Sequence, residues 1–326
     1  MADEYYGYVG TLLKVNLTDM TVEKIPTNTY DTDKWIGGRG LGSIIQWTEC
    51  PTTAGALDPE NVLTFLTGSL TGTMLDGGRT FVQAVSPAGY PDTGSFARSS
   101  FGSSFAPEMK FAGYDGIIFM GKAPYPVYFY INDDIAEIRD ARDLWGMDNF
   151  AVQNELYRRS GNKAKIASIG PAGEHMSMFS TILSDESSAT GMGSFGAVMG
   201  SKNLKAISIQ GTGSVKVADP QGLLDLVEYT QNLCCRKLYE TTPEAPANSY
   251  VGSWQASLPL TDTDLYKEAR DPEGKLEIAY TGCYSCPWGG CGYGVRFKDG
   301  SGMSLGQLRC TEAIPVSAES AACGED

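Results

Sequence analysis

The apolar residues of this chain occur in short runs, and glycine-rich segments separate these runs from one another. The longest runs, at residues 117–120 and 127–131, have the length of β-strands and fall far short of a membrane span. Hydrophobic residues make up 42% of the chain, which is enough for a large core and excludes general disorder. The chain is therefore predicted to be globular and to fold around β-sheets.

Predicted strands alternate with a few helices in the first two thirds of the chain. Val152, Leu156 and Tyr157 share one face at helical spacing, which predicts a helix over residues 149–159. Asp31 or Asp33 is predicted to cap a short helix that runs into Gly37. The predicted strands are residues 8–16, 21–25, 61–66, 79–85, 116–120, 127–131, 164–168 and 205–209.

A polar, proline-marked passage at residues 211–220 divides the chain. Its 326 residues are enough for two domains. We predict an α+β fold, with a mixed-sheet domain at residues 1–212 and a partial, mainly helical domain at residues 213–326. Asp219 and Pro220 fit the cap and first position of a helix that extends to about residue 239.

The charge of the chain excludes some classes of partner. It has 39 acidic and 25 basic residues, a net charge of −14. Binding to nucleic acid requires lysine and arginine to neutralise phosphates, and an anionic membrane surface would repel this chain. The first residues, MADEYYGYVG, show no signal or transit peptide, so we expect a cytoplasmic protein without a membrane span.

Cys283, Cys286 and Cys291 lie within nine residues, spaced C-x2-C-x4-C and interleaved with glycines. In a reducing compartment, clustered cysteines indicate metal or redox chemistry before disulfides. Two cysteines three residues apart can direct both sulfurs to one metal, and glycines let the backbone fold tightly around it. The cysteines therefore predict a metal site.

The metal is favoured to be an iron–sulfur cluster, since such clusters commonly use three close cysteines and a remote fourth. Cys310 is the nearest candidate for the fourth ligand and Cys323 the next. A zinc site and unligated cysteines in a glycine-rich loop remain as alternatives, although a zinc ribbon would require a second C-x2-C pair.

Glycine is also concentrated in segments of the first domain where it stands beside Ser, Thr or Arg. Such segments let the backbone approach an anionic ligand, and Arg79 adds a guanidinium suited to phosphate or carbonyl oxygens. Any one of them is more simply a turn, but together they favour a buried, polyanionic cofactor. No nucleotide fingerprint or phosphate-binding loop is present. The segments are residues 37–42, 70–79, 94–105, 170–174 and 191–205.

Several motifs in one order resemble the N-terminal domain of the aldehyde:ferredoxin oxidoreductase family. LTGT at residues 70–73 and GGR at 77–79 are followed by EMKFAGYD at 108–115, ASIGPAGE at 167–174 and GAVMGSKNLKA at 196–206. The resemblance covers residues 7–212. The cysteine cluster falls where that family carries its first three cluster ligands.

The resemblance implies a tungsten or molybdenum ion held by two pterins, with a [4Fe–4S] cluster close by. It implies electron transfer between an aldehyde or acyl-type small-molecule substrate and ferredoxin or an electron-transfer subunit. Arg79 should lie between the cluster and a pterin. The positions that line the pterin and phosphate sites in the family are Ser100, Gly102, Ser188, Ala189, Gly191 and Met192 here.

The chain departs from the family in sequence and in length. The family often has Asn at position 100 and Arg at positions 188 and 192, and its cysteine spacing has x3 where this chain has x4. Family members are about twice as long, and their second half supplies further pterin contacts, the fourth cysteine and acid–base groups. The chain is therefore a fragment, is completed by a partner subunit, or has lost the chemistry.

Glu312 follows Cys310 in the region where the family can place a catalytic carboxylate. A glutamate with a raised pKa suits acid–base work, and a solvated surface glutamate is the plain alternative. Two other functions are kept as alternatives. In the first, the chain is the active-site subunit of a benzoyl-CoA-reductase-type complex. In the second, it is a non-catalytic subunit that carries a cofactor or cluster.

Overall fold

A computed structural model describes residues 5–75, 78–88, 94–185, 188–231, 276–281, 283–286, 292–298 and 308–309. The chain divides into two compact units, Met1–Pro220 and Gln221–Asp326. Within the described ranges, every helix is too short or too polar to cross a bilayer.

The first unit contains two six-stranded sheets. The strands of the first sheet run in the order β2-β1-β6-β3-β4-β5, and only β1 and β6 are parallel neighbours among its pairs. They are β1 (Thr11–Asn16), β2 (Thr21–Pro26), β3 (Leu63–Leu66), β4 (Thr80–Ser86), β5 (Ser95–Phe101) and β6 (Gly116–Met120).

The second sheet has the order β11-β10-β9-β12-β7-β8, with a parallel pair between β7 and β12 and antiparallel pairs elsewhere. Both sheets are therefore mixed, which confirms the mixed-sheet prediction for this part of the chain. The strands are β7 (Val127–Asn132), β8 (Ile135–Asp140), β9 (Lys165–Ser168), β10 (Leu183–Ser184), β11 (Ser188–Ala189) and β12 (Leu204–Gln210).

The main core lies between the two sheets. Alternate side chains of central strands point into it, because successive residues of a strand face opposite sides. Phe119 on β6 packs edge-to-face against Phe65 on β3 and against Phe129 on β7, with ring centroids 5.9 and 5.5 Å apart. These contacts join the first sheet to the second.

Helices cover the outer faces of both sheets. Leu41 and Ile45 of α1 (Gly37–Glu49) pack against Leu12 of the first sheet, and Val152 of α3 (Asn149–Ser160) packs against Ile166 of the second. The remaining helices are α2 (Phe105–Phe111), α4 (Pro171–Glu174), α5 (Phe195–Ser201), α6 (Pro220–Gln231) and a 3-10 helix at Thr27–Tyr30.

The structure corrects two sequence predictions. The helix expected to start after Asp31 or Asp33 and run into Gly37-Gly38-Arg39-Gly40 instead begins at Gly37, and its glycines allow a close approach to β4, where a Cβ at Gly38 would come within 2.3 Å of the Phe81 ring. The predicted glycine-rich loop at residues 94–105 contains β5, which pairs with β4 along its whole length. In both cases long-range packing overrides a local preference for irregular structure.

The described part of the second unit holds a three-stranded antiparallel sheet, β13 (Leu276–Thr281), β14 (Gly292–Phe297) and β15 (Leu308–Arg309). α6 begins at Pro220, the predicted position. Most of residues 213–326 lies outside the described ranges, so a mainly helical second domain and the boundary at residue 212 stay predictions.

Asp115 anchors the N-terminal segment to the first sheet. Its buried carboxylate accepts hydrogen bonds from the N–H of Val9 (3.0 Å), the N–H of Gly10 (2.8 Å) and Thr27 Oγ1 (2.7 Å). The Lys110 ammonium lies 3.6 Å away, also buried. Burial lowers the pKa of Lys110 to about 8, and the charge of Asp115 opposes this effect.

Replacing Asp115 should destabilise the first unit strongly. Asp115→Ala leaves a buried lysine without its counter-charge and should cost about 3–5 kcal/mol. The control Asp134→Ala removes an exposed partner of Lys24 and should cost about 0.5 kcal/mol or less. Urea unfolding followed by circular dichroism measures both, and equal stability of the two variants would contradict this role of Asp115.

Candidate functional site

The two sheets meet along one edge, where β5 of the first sheet approaches β11 of the second. Among the described residues, serine hydroxyls form hydrogen bonds across this edge. The N–H of Gly102 donates to Ser188 Oγ (2.7 Å), Ser103 Oγ lies 3.1 Å from Ser184 Oγ, and Ser86 Oγ donates to the carbonyl of Gly193 (2.8 Å). We call this group of contacts the serine seam.

Arg79 and Ser100 lie beside the seam. Arg79 directly precedes β4, its side chain is exposed, and Nη1 donates to Ser100 Oγ at 3.3 Å. Ser100 belongs to β5, where its backbone is the register partner of Phe81. The strand pairing thus brings together two predicted ligand-binding residues that are 21 positions apart.

Gly191 lies on the other side of the same edge. Among the described residues, a Cβ at this glycine would meet Ser99 Oγ alone, at 3.8 Å, which is an ordinary contact distance. These residues therefore leave open space beside the Gly191 backbone. Met192 follows with its side chain 88% exposed.

The structure thus brings Arg79, Ser100, Gly102, Ser188 and Gly191 to one edge, with Ala189 and Met192 adjoining in sequence. The Ser188 side chain is buried and its Oγ accepts the Gly102 N–H, and its role in a pterin or phosphate site stays a prediction. Sequence reasoning missed the partners in the seam and the neighbour of Gly191. A signal existed in the run of serines between residues 95 and 104, which also holds Ser99 and Ser103.

The donors at this edge fit an anionic, oxygen-rich cofactor. A guanidinium and hydroxyl groups can donate to phosphate or carbonyl oxygens, and open space at a glycine lets a ligand approach the backbone. The pterin implied by the sequence resemblance has both phosphate and carbonyl oxygens. The residues of this edge therefore suit it in chemistry and in space.

Cys283 and Cys286 form a turn between β13 and β14. The N–H of Cys286 donates to the carbonyl of Cys283 at 3.1 Å, Ser285 has φ +51°, and both cysteines are half-buried. Backbone pairing joins Gly292 of β14 to Arg309 of β15. Cys291, Cys310 and Glu312 lie outside the described residues, and within those residues no three His, Cys, Asp or Glu side chains group as metal ligands.

The first unit thus combines two mixed sheets with an edge lined by glycine and serine. Residues 12–211 match the family described as "Aldehyde ferredoxin oxidoreductase, N-terminal domain". The match spans more than half of the chain, so this chain belongs to the aldehyde ferredoxin oxidoreductase family. The resemblance read from the sequence motifs is confirmed.

Proteins with similar sequences support the same family assignment. The chain is 43% identical over 224 residues to a tungsten-containing aldehyde ferredoxin oxidoreductase of Pyrococcus abyssi, covering 68% of this chain and 36% of the relative. The Thermococcus kodakarensis enzyme of the same name is 36% identical over 304 residues, covering 88% and 49%. An "aliphatic sulfonate oxidoreductase, WOR-like subunit" of Pyrococcus furiosus is 39% identical over 273 residues, covering 78% and 43%.

A solved structure also resembles the chain. It is the active-site complex BamBC of benzoyl-coenzyme A reductase with 1,5-dienoyl-CoA, with a TM-score of 0.78 and 29% identity. The match covers 97% of this chain and 53% of that one. The chain thus spans about half, or less, of the length of the relatives that it matches.

Removing the Ser188 hydroxyl should weaken the seam. Ser188→Ala leaves the buried Gly102 N–H without an acceptor and should cost about 1–3 kcal/mol. The control Ser214→Ala alters an exposed serine and should change little. Chemical denaturation gives the free energies, and faster amide exchange at Gly102 should accompany the loss. A Gly102 amide that exchanges as slowly in Ser188→Ala as in the parent protein would contradict this account.

Proposed function

We propose that this chain forms the pterin-binding and cluster-binding part of a tungsten or molybdenum oxidoreductase. The enzyme passes electrons between an aldehyde or acyl-type substrate and ferredoxin, or an electron-transfer subunit, through a [4Fe–4S] cluster. The observation that carries this proposal is the contact of Arg79 with Ser100 of β5, with Gly191 beside the neighbouring Ser99 on the other face of the strand, in a chain that belongs to the family.

The residues of the first domain, at 1–212, have binding and positioning roles. Arg79 offers a planar guanidinium that can contact two acceptor oxygens at once. Its hydrogen bond to Ser100 fixes the orientation of the guanidinium plane. The open space at Gly191 admits a ligand to van der Waals contact with the backbone. Gly102, held by Ser188, fixes the end of β5 beside this space.

The bound metal and pterins supply two-electron redox chemistry, and the chain holds and orients them. Arg79 is proposed to hold a cationic donor against the pterin. Its exposed side chain has no carboxylate partner within the described residues, so its donors are available. Glu312 is proposed as the group that holds or moves a proton near the substrate.

The cluster is proposed to bind to Cys283, Cys286 and Cys291, with Cys310 as the fourth ligand. The turn at Cys283 and Cys286 supports this, because a hydrogen-bonded C-x2-C turn can direct two thiolates to one site.

A second candidate is the active-site subunit of a benzoyl-CoA-reductase-type complex. The match to BamBC along 97% of the chain favours it. In either case a further segment or partner subunit completes the site, since the relatives are longer than this chain. We place the protein in the cytoplasm.

Metal and pterin analysis of the protein purified anaerobically with its partners tests the proposal. Near-stoichiometric tungsten or molybdenum is expected, and iron without either metal would leave only an electron-transfer subunit.

Gly191→Val should fold normally yet lose most of its pterin, because the added branches fill the space proposed for the ligand. Ala151→Val, on the exposed side of α3, is the matched control and should keep its pterin. Full pterin in folded Gly191→Val would contradict the assignment of this edge.

The cluster ligands are tested separately by spectroscopy. The protein should show visible absorption and, when reduced, an electron paramagnetic signal, whereas zinc gives neither. Cys286→Ser should abolish or convert the cluster. Cys310→Ser should do the same if Cys310 is the fourth ligand, while Cys50→Ser, in the first unit, should leave the signal unchanged. Stoichiometric zinc without iron would overturn the cluster proposal.

A further inference from the structure

Three arginines of the first unit have no acidic partner among the residues that the structure describes. Within the described ranges, Arg39, Arg79 and Arg98 are exposed and have no carboxylate within 4.0 Å. The other described arginine side chains, Arg139, Arg142, Arg158 and Arg159, all form ion pairs. Unpaired arginines are conspicuous in a chain with a net charge of −14.

The β4–β5 pairing places two of these arginines around one hydroxyl. Arg98 and Ser100 are two residues apart on β5, so both side chains lie on the same face, with Cα atoms about 7 Å apart. Arg79 approaches Ser100 from the start of β4, at 3.3 Å. Ser100 Oγ therefore lies between the two arginine positions.

The same face of the sheet adjoins the start of α1. Gln83 is the register partner of Arg98, and its Nε2 donates to the carbonyls of Gly38 and Arg39 at 3.2 Å. The backbone of Arg39 thus lies beside the same row of β4 and β5. Positive charge is concentrated on this side of the edge.

On the opposite side of the edge, the described residues Ser188, Ala189, Gly191 and Met192 are uncharged, and the Ser188 hydroxyl already accepts the Gly102 N–H. Among the described residues, the positive charge available to an anionic group at this edge therefore comes from the β4–β5 side. Guanidinium groups suit this task, because they bind phosphate oxygens in bidentate geometry.

We propose that Arg98 is a further cofactor-binding residue, which holds a phosphate monoester at Ser100 together with Arg79. This inference rests on the proposed function, since the phosphate is taken to belong to the pterin cofactor. Arg98 lies outside the set of residues that the sequence motifs singled out, and it binds the ligand without contacting the reacting atoms.

Binding of inorganic phosphate to the cofactor-free full chain, measured by ³¹P NMR titration, tests the residue directly. Arg98→Ala should weaken phosphate binding by about tenfold, the usual effect of losing a charge-assisted hydrogen bond. Arg98→Lys should recover part of the lost affinity, because lysine restores the positive charge but not the planar guanidinium that can bind two oxygens. The control Arg158→Ala removes an exposed arginine of α3 and should leave binding unchanged.

A second measurement uses the loaded protein. Pterin and tungsten retained after dialysis against high salt should fall in Arg98→Ala and not in Arg158→Ala, since salt screens exposed charges. Unchanged phosphate affinity and unchanged retention in Arg98→Ala would overturn the inference and leave the proposed function standing. Full retention with a raised KM for ferredoxin would also overturn it, because Arg98 would then serve an acidic partner.

The two proposals fail in distinguishable ways. If the purified protein contains no pterin but phosphate binding still depends on Arg98, the proposed function fails and the anion site stands. Circular dichroism should show that all variants fold, as expected for substitutions of exposed side chains.

Discussion

The buried hydrogen bond from the N–H of Gly102 to Ser188 Oγ ties the end of β5 to β11, and with the other contacts of the serine seam it adds to the apolar core that the two sheets share. The candidate site depends on this link. Arg79 and Ser100 lie on the first sheet, whereas Gly191 follows β11, the edge strand of the second sheet. These residues stay at one edge only if the two sheets keep a fixed position relative to each other. A buried amide without an acceptor is costly, so the hydrogen bond at Gly102 favours this one relative position of the sheets. Phe119 supplies the complementary constraint deeper in the core, since its ring touches phenylalanines of both sheets.

Much of this architecture can be predicted from the sequence, because several elements have strong local patterns. β6 and β7 coincide with the two longest apolar runs, and α3 and the start of α6 follow from helical spacing and from Pro220. β5 could not be predicted in this way. Its sequence, SFARSSF, is serine-rich and follows a glycine, and it becomes a strand only because β4 offers a complete row of backbone partners. α1 was misplaced for a related reason, since its glycines disfavour a helix until β4 packs against them.

The sequence suggests which residues form the candidate site, and the structure supplies their arrangement, while their binding roles stay predictions. Arg79, Ser100, Gly102 and Gly191 were identified through family motifs, and the family is confirmed. No pattern in the sequence indicates that the Ser188 hydroxyl is taken up by the protein itself, because that depends on tertiary contact. The same holds for Arg98, whose lack of an acidic partner can be recognised only when its neighbours in space are known. The cysteine spacing remains the evidence for the cluster, and the described backbone adds the turn at Cys283 and Cys286.

Gly200 and Gly191 of the first unit differ in the space available for a side chain, and they should therefore differ in how they tolerate substitution. A Cβ at Gly200 would come within 1.9 Å of the Gly173 carbonyl oxygen, because α5 and α4 touch through their backbones. Every other amino acid at that position must push two helices apart. Gly191 meets no such obstacle within the chain. In a library of all single substitutions selected only for folding, Gly200 should be nearly invariant and Gly191 permissive. Selection for cofactor binding should make both restrictive, and the difference between the two selections would map the ligand surface without a bound ligand.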